Sequence, residues 1–261
     1  MIIDESIKKR YFKVFQRELD LSNPILFTEK LQYLKIKETA RLKSVCSDKL
    51  KVQEYFIDVL GKNIGFPILN VFYNADELDN ISHFPVIAKC NHGSGMNKVF
   101  NSKKDVILSK NLFDYWLTLD YSLNSIEPWY RYIEPCILVE PYIVNFQEIK
   151  FFVFNGESKV IEILDGNAHR YYDTKWNRLP WLQRTFHPSP EGIVDSKPTN
   201  LEELCDISNK LAEPFKFVRV DFIIDKDTDK FYCSEMTFAP GAGFCVYAGD
   251  GDRLLGDMLQ L

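Results

Sequence analysis

The sequence predicts an α+β fold of two lobes behind a short helical N-terminal region. Three observations point there: helical patterns crowd the early part of the chain, apolar strand-like runs come in neighbouring pairs later, and Asn155-Gly156 separates two such runs. Asn-Gly between alternating segments is the strongest short hairpin signal a sequence carries. Helices first and antiparallel hairpins afterwards describe an α+β arrangement, because an α/β chain alternates the two. The expected divisions are 1–46, 47–135 and 136–261.

Composition narrows the class. With 46% hydrophobic and 26% charged residues, and 20 Phe, 13 Tyr and 4 Trp for a core, the 261 residues describe an ordinary globular protein. Lys and Arg number 32 against 37 Asp and Glu, a net charge of −5, which argues against a general nucleic-acid binder. Six cysteines without a C-x-x-C pair lie mostly in apolar runs and are expected as buried free thiols. The four histidines lack metal-ligand spacing. Met1–Ser6 shows no basic-then-apolar leader and no stretch reaches transmembrane length, so the cytoplasm is the expected location.

Taken in order, residues 5–45 read as helices broken at Asn23-Pro24. Ser47 reads as the N-cap of a helix with Val52, Phe56, Val59 and Leu60 on one face, stopped by Gly61. Phe66–Tyr73 reads as a strand, and Asn74 with Glu77 as the cap of a short helix. Residues 85–90 form a buried strand carrying one lysine, followed by a glycine turn and a strand near 98–101. Leu108, Leu112, Tyr115, Trp116 and Leu119 describe an amphipathic helix. Cys136–Val144 is β-rich, 148–154 and 157–164 form the Asn-Gly hairpin, and 165–198 read as a long loop. Asn200 and Glu203 open a helix with Leu204, Ile207 and Leu211 inward, and strands near 216–224 and 231–238 close the series.

That last hairpin concentrates the chemistry. Alternation puts Arg219 and Asp221 on one face of their strand, and Glu235 and Thr237 on one face of theirs. A turn centred near Thr228 sets Asp221 opposite Glu235 and Arg219 opposite Thr237. Facing carboxylates repel, and a divalent cation such as Mg²⁺ resolves the conflict; Arg219 pairing with both acids resolves it equally well. Lys89 inside an apolar strand calls for an anion, and the following Asn91–Asn97 segment can offer backbone N–H groups to phosphates. An ordinary hairpin turn with a snorkelling lysine accounts for the same residues. Glu140 stands alone among apolar residues before Pro141, suiting either a hinge that binds a base and ribose or an exposed edge strand. Glu148 and Lys150 share a face and are also readable as a surface ion pair. Lys49, in a first helical turn, opposes the helix dipole.

The order of these features resembles the ATP-grasp superfamily over roughly residues 47–250: Asp48-Lys49, Lys89 before a glycine loop, Glu140, Glu148, Arg219-x-Asp221, then Glu235-x-Thr237 before Pro240-Gly241. More closely, the sequence resembles the TupA-like ATP-grasp family, associated with teichuronopeptide and surface-polysaccharide synthesis. The strings carrying that likeness start at Pro24, Lys89, Lys150, Tyr172 and Glu235. The resemblance implies an ATP-grasp fold, with ATP held between two α+β lobes. Lys49 and Lys89 would hold phosphates under His92, Gly93, Ser94 and Gly95. Glu140, Pro141, Tyr142 and Ile143 would meet the adenine and Glu148 the ribose. Asp221 and Glu235 would hold Mg²⁺ with Thr237, which stands where many relatives have asparagine. Arg219 would stabilise the transferring phosphoryl group, with Lys150 and Arg170 as further catalytic candidates.

The implied activity is an ATP-dependent carboxylate–amine ligase working through an acyl phosphate, on a uronic acid or sugar-linked carboxylate and an amino acid. Residues 165–185, with His169, Arg170, Tyr172, Asp173 and Trp176, are the expected acceptor contacts, although these aromatics serve equally to cap the core. Phosphoryl transfer without ligation and a non-catalytic nucleotide-binding role in an assembly complex are the rivals. A glycosyltransferase is disfavoured, since Asp225-Lys-Asp227 lies in a turn.

Overall fold

A computed structural model describes residues 2–165, 168–185, 192–193 and 195–261. Helices α1 (Ile2–Phe15), α2 (Phe27–Lys37), α3 (Ala40–Ser47) and α4 (Val52–Leu60) come first. Strands β1 (Asn70–Phe72), β2 (Val86–Cys90) and β3 (Asn97–Phe100) precede α5 (Lys103–Leu117) and α6 (Tyr121–Ser125). Next come β4 (Ile137–Pro141), β5 (Phe146–Phe154), β6 (Glu157–Asp165), β7 (Ala168–Tyr172), α7 (Leu201–Ala212), β8 (Phe217–Asp225), β9 (Phe231–Thr237) and α8 (Gly251–Met258).

Two antiparallel sheets result, with orders β1-β4-β2-β3 and β7-β6-β5-β8-β9. Side-chain alternation gives each sheet a covered face and a face turned to the cleft between them. In the first, Val86, Ala88, Cys90, Ile137 and Val139 join a core with Val106 and Phe113 of α5, which leaves Ile87, Lys89 and Glu140 on the other face. In the second, Ile149, Phe151, Val153, Val218, Val220 and Phe222 pack with Leu204, Ile207 and Leu211 of α7. Its opposite face is divided. Phe152, Phe154 and Phe217 lie with Phe27 and Leu31 of α2 and Leu255 of α8, while Glu148, Lys150, Arg219 and Asp221 occupy the remainder of that face in the same alternation.

Several expectations hold, among them the Asn155-Gly156 hairpin, with φ of +50° and +82° as a tight turn requires. Asn74 and Glu77 cap a 3₁₀ helix over Ala75–Asn80, and all six cysteines are free, five of them buried.

Others are corrected. Ser47 ends α3; Asp48 acts at the following turn, its Oδ1 accepting from the Leu50 amide at 2.9 Å. Lys49 therefore lies between two helices. The strand expected over 66–73 shrinks to 70–72. On α5 the expected face is displaced, since Leu108 and Tyr115 are 72% and 59% exposed while Val106 and Phe113 are buried. Strand β4, expected to open the second lobe, pairs with β1 and β2 in the first sheet. The segment read as a loop from 165 contains β7, which pairs with β6; its polar His169 and Arg170 hide the strand pattern. His187 lies outside the described residues.

Candidate functional site

The register across the second sheet brings the acidic pair together. Asp221 pairs with Glu235 and Arg219 with Thr237, across a hairpin whose bulge follows Asp221. The next strand sets Lys150 opposite Asp221, and the one beyond sets Glu162 opposite Lys150. A row of charge thus crosses four strands on the cleft face.

Its contacts are dense. Arg219 forks onto Asp221, Nε to Oδ1 at 2.7 Å and Nη2 to Oδ2 at 2.5 Å. The same Nη2 lies 3.5 Å from Glu235 Oε1 and donates to Thr237 Oγ1 at 3.3 Å. Thr237 in turn donates to Glu235 at 3.0 Å. Lys150 sits 3.3 Å from Asp221 and 2.8 Å from Glu148. Arg219 pairing with both acids, the alternative to a cation between them, is thus present. Both carboxylates converge on one nitrogen, so they point to the same side of the sheet.

The environment separates the acids. Burial pushes the Asp221 carboxyl up, against the pull of Arg219 and Lys150, and Asp221 is 1% exposed. Burial also acts on Glu235, but Lys49 and Arg219 overcome it and hold that carboxyl down to about 2. Glu235 stays ionised across the whole useful range.

Facing this row is the first sheet. Lys89 of β2 and Glu140 of β4 form an ion pair at 2.5 Å, and Glu140 is 3% exposed. The edge-strand reading of Glu140 is overturned, because β4 is an inner strand flanked by β1 and β2. Lys49 reaches the carbonyl of Gly93 at 2.6 Å and Glu235 at 3.8 Å, tying the turn after α3 to the glycine loop and to the acidic pair. A Cβ on Gly93 would lie 2.2 Å from Met96 Cε and 2.7 Å from the Tyr121 ring, so the loop's path there requires glycine. Gly95 has φ +75°, while Ser94 is exposed. His92 is buried, its Nε2 3.1 Å from the Trp116 carbonyl, and burial lowers its pKa. It supports the loop from behind.

Two cavities flank the charged row. One, of about 80 Å³, is lined by Phe66, Ile87, Ile223, Pro141, Tyr142 and Ile143 among others, with Lys89 and Glu140 at its wall. Its apolar sides and single buried acid suit a flat heterocycle. The other, of about 360 Å³, is lined by Ser94, Arg219, Glu235 and Thr237 and by residues of α1, α6 and the following turn.

Asp221, Glu235 and Thr237 offer two carboxylates and a hydroxyl. No group of three or more His, Cys, Asp or Glu that could hold a metal occurs among the described residues. Mg²⁺ takes one or two protein carboxylates and completes its shell with water and phosphate oxygens, so this all-oxygen set fits that ion.

Arg170 is not brought to the site. Its Nε and Nη2 bond Asp195 at 2.6 Å each, and it is 2% exposed. Tyr172 stacks on Trp176 at 4.4 Å and donates to Asp195 at 2.8 Å, while His169 pairs with Glu162 at 2.5 Å. Within the expected acceptor segment, His169 thus joins the charged row through Glu162, while Arg170, Tyr172 and Trp176 gather on Asp195. Sequence reasoning took Asn91 only for its backbone N–H and missed its side chain, which bonds Asp48, the Glu134 carbonyl and the Cys136 amide at 2.8–3.0 Å. Its only sequence signal is its place between Lys89 and Gly93.

The family described as TupA-like ATPgrasp matches residues 29–260. The D-alanine–D-alanine ligase of Borrelia duttonii (strain Ly) is 24% identical over 212 residues, covering 76% of this chain and 54% of its own length. The chain spans about half the length of the curated relatives it matches. Among solved structures, D-alanine–D-alanine ligase from Bacillus anthracis complexed with ATP aligns at 19% identity and TM-score 0.43, covering 76% of this chain and 55% of that one. The L-amino acid ligase from Bacillus licheniformis aligns at 14% identity and TM-score 0.48, covering 91% and 55%.

Proposed function

The chain belongs to the TupA-like ATP-grasp family, and from that premise we propose that it is an ATP-dependent carboxylate–amine ligase. Its two sheets and flanking helices form the α+β ATP-grasp fold. One observation carries the reading: Asp221 and Glu235 face each other, ringed by Arg219, Lys150 and Lys49, where an apolar slot and a polar cavity adjoin.

The slot at Phe66, Ile87 and Ile223 takes the adenine, with Glu140 and the chain through Ile143 at its polar edge and Glu148 toward the ribose. Lys49 and Lys89 bind phosphate oxygens beneath the loop at His92–Gly95, and Lys89 exchanges Glu140 for that anion. Asp221, Glu235 and Thr237 would hold Mg²⁺, which would supply positive charge beside the phosphoryl group in transfer. Arg219 and Lys150 add fixed positive charge, worth most in a water-poor site.

A donor carboxylate oxygen attacks the γ-phosphorus and ADP departs. The amine then attacks the acyl carbon, phosphate leaves with the C–O bonding pair, and nitrogen releases a proton to a nearby base or to water. The proposed donor is a uronic acid or other sugar-linked carboxylate of surface-polysaccharide synthesis, and the proposed amine an amino acid. ATP supply sets such a reaction in the cytoplasm.

A non-catalytic nucleotide-binding role has one observation in its favour, the satisfaction of both acids by Arg219 and Lys150 without a metal. ADP release with Mg-ATP across a matrix of uronic acids and amino acids, with mass spectrometry of the products, separates the readings. An amide mass with ADP supports the ligase. A stable phosphorylated product means phosphotransfer, and nucleotide binding without ADP means a binding component.

A further inference from the structure

The larger cavity has a second end that the nucleotide chemistry leaves unused. Arg10, Asn124, Ser125, Glu127, Tyr130 and Ala242 form its wall there. Arg10, on α1, donates from Nη1 to the Asn124 carbonyl at 3.0 Å, and its guanidinium lies 4.6 Å from the centre of the Phe244 ring. A carbonyl and an aromatic face thus position the group, and no carboxylate lies within ion-pair distance of it among the described residues.

Buried Glu127 is flanked by buried Lys35, whose Nζ donates to the Ala242 carbonyl at 2.9 Å, and by Arg10. At this end Arg10 is the guanidinium in the cavity wall, held by a carbonyl and a ring and not by a carboxylate, so its remaining N–H groups can receive an entering anion. The other end, with Arg219, Glu235 and Thr237, is where bond formation belongs. A molecule filling the cavity therefore presents an anionic group to Arg10 and its reacting group toward Glu235. A free amino acid carries both.

We propose that Arg10 anchors the free carboxylate of the amine substrate, so that the acceptor is an amino acid lying carboxylate-first against α1. The assignment rests on the ligase reading for the word acceptor, while the anchor itself is testable by binding alone. Arg10 also precedes the residues matched by the family, which begin at 29, so the contact comes from a helix outside that match.

The test uses the full chain with Arg10→Ala and Arg10→Lys. Amino acids and their α-carboxamides are titrated calorimetrically in the presence of Mg²⁺ and a non-hydrolysable ATP analogue. Wild type is expected to bind acids about tenfold or more tighter than amides, the worth of one charge-assisted hydrogen bond. Arg10→Ala abolishes that preference, Arg10→Lys keeps part of it, and neither alters affinity for the ATP analogue. In turnover, Arg10→Ala raises KM for the amino acid about tenfold or more, with a smaller change in kcat.

An acid preference that survives Arg10→Ala overturns the proposal, as does wild type that binds acid and amide alike or binds no amino acid. If no acceptor yields ADP while acids still bind through Arg10, the ligase reading falls and the anchor stands. If amides form with undiminished affinity in Arg10→Ala, the anchor falls and the ligase stands.

Discussion

Replacing Asp221 by asparagine keeps the shape of the side chain and removes its charge, at a residue that accepts both prongs of Arg219 and lies 3.3 Å from Lys150. An amide has one acceptor oxygen, so whichever way it turns, one guanidinium N–H meets an NH₂ group. The loss is one charge-assisted hydrogen bond plus part of a buried ion pair, about 3 kcal/mol in all, moderated because Glu235 and Glu148 remain beside the cations. Domains of this size lose about 2–4 °C per kcal/mol, which gives a fall in Tm of about 6–12 °C and leaves a folded protein. ADP release should drop about a hundredfold or more, because the same oxygens serve the charge that develops in transfer. Asp195→Asn is the control: it breaks an equally close fork, to Arg170, away from the cleft. It should match Asp221→Asn in Tm and keep its turnover. If Asp221→Asn turns over as fast as that control, the metal and catalytic assignment of the hairpin is wrong.

Lys89→Met should weaken ATP-analogue binding by about tenfold or more in calorimetry, the value of one charged contact, and it also strips buried Glu140 of its cation. Gly93→Ala should disturb the loop, since the new methyl would lie 2.7 Å from the Tyr121 ring, which cannot swing aside as the Met96 methyl can; a lower Tm and weaker nucleotide binding are expected, and an unchanged loop would show as wild-type affinity. Glu162 and Glu235 are both held down to about 2. Their stabilising contribution is complete above the unfolded carboxylate pKa near 4.3 and is lost as pH falls from there toward 2. Urea midpoints should therefore drop across that window, and Glu162→Gln, which cannot titrate, should drop less steeply.

Local patterns carried a good part of this molecule. The hairpin register of Asp221 with Glu235 follows from strand alternation and one polar turn, both short-range, and the structure reproduces it. The caps at Asn74 and the turn at Asn155-Gly156 are equally local. Periodicity failed where a segment's partners are remote. The face of α5 was misjudged because Leu108 and Tyr115 are as apolar as Val106 and Phe113, and only the position of the first sheet decides which pair is covered. The pattern of β7 is hidden because its buried polar residues, His169 and Arg170 on opposite faces, are satisfied by Glu162 of the neighbouring strand and by Asp195, and neither pairing is legible from the segment itself.

The same division runs through the site. Sequence by itself determined which chemical groups are present and which neighbours along one strand share a face, since those depend on residue type and a period of two. Tertiary structure decided which strand Lys150 lies beside, that Lys49 reaches both Gly93 and Glu235, that Glu140 is buried against Lys89, and that Arg10 from the first helix closes the far end of the cavity. These contacts join segments tens to more than two hundred residues apart, and their energies arise from burial and charge that exist only once both sheets and the helices around them are assembled.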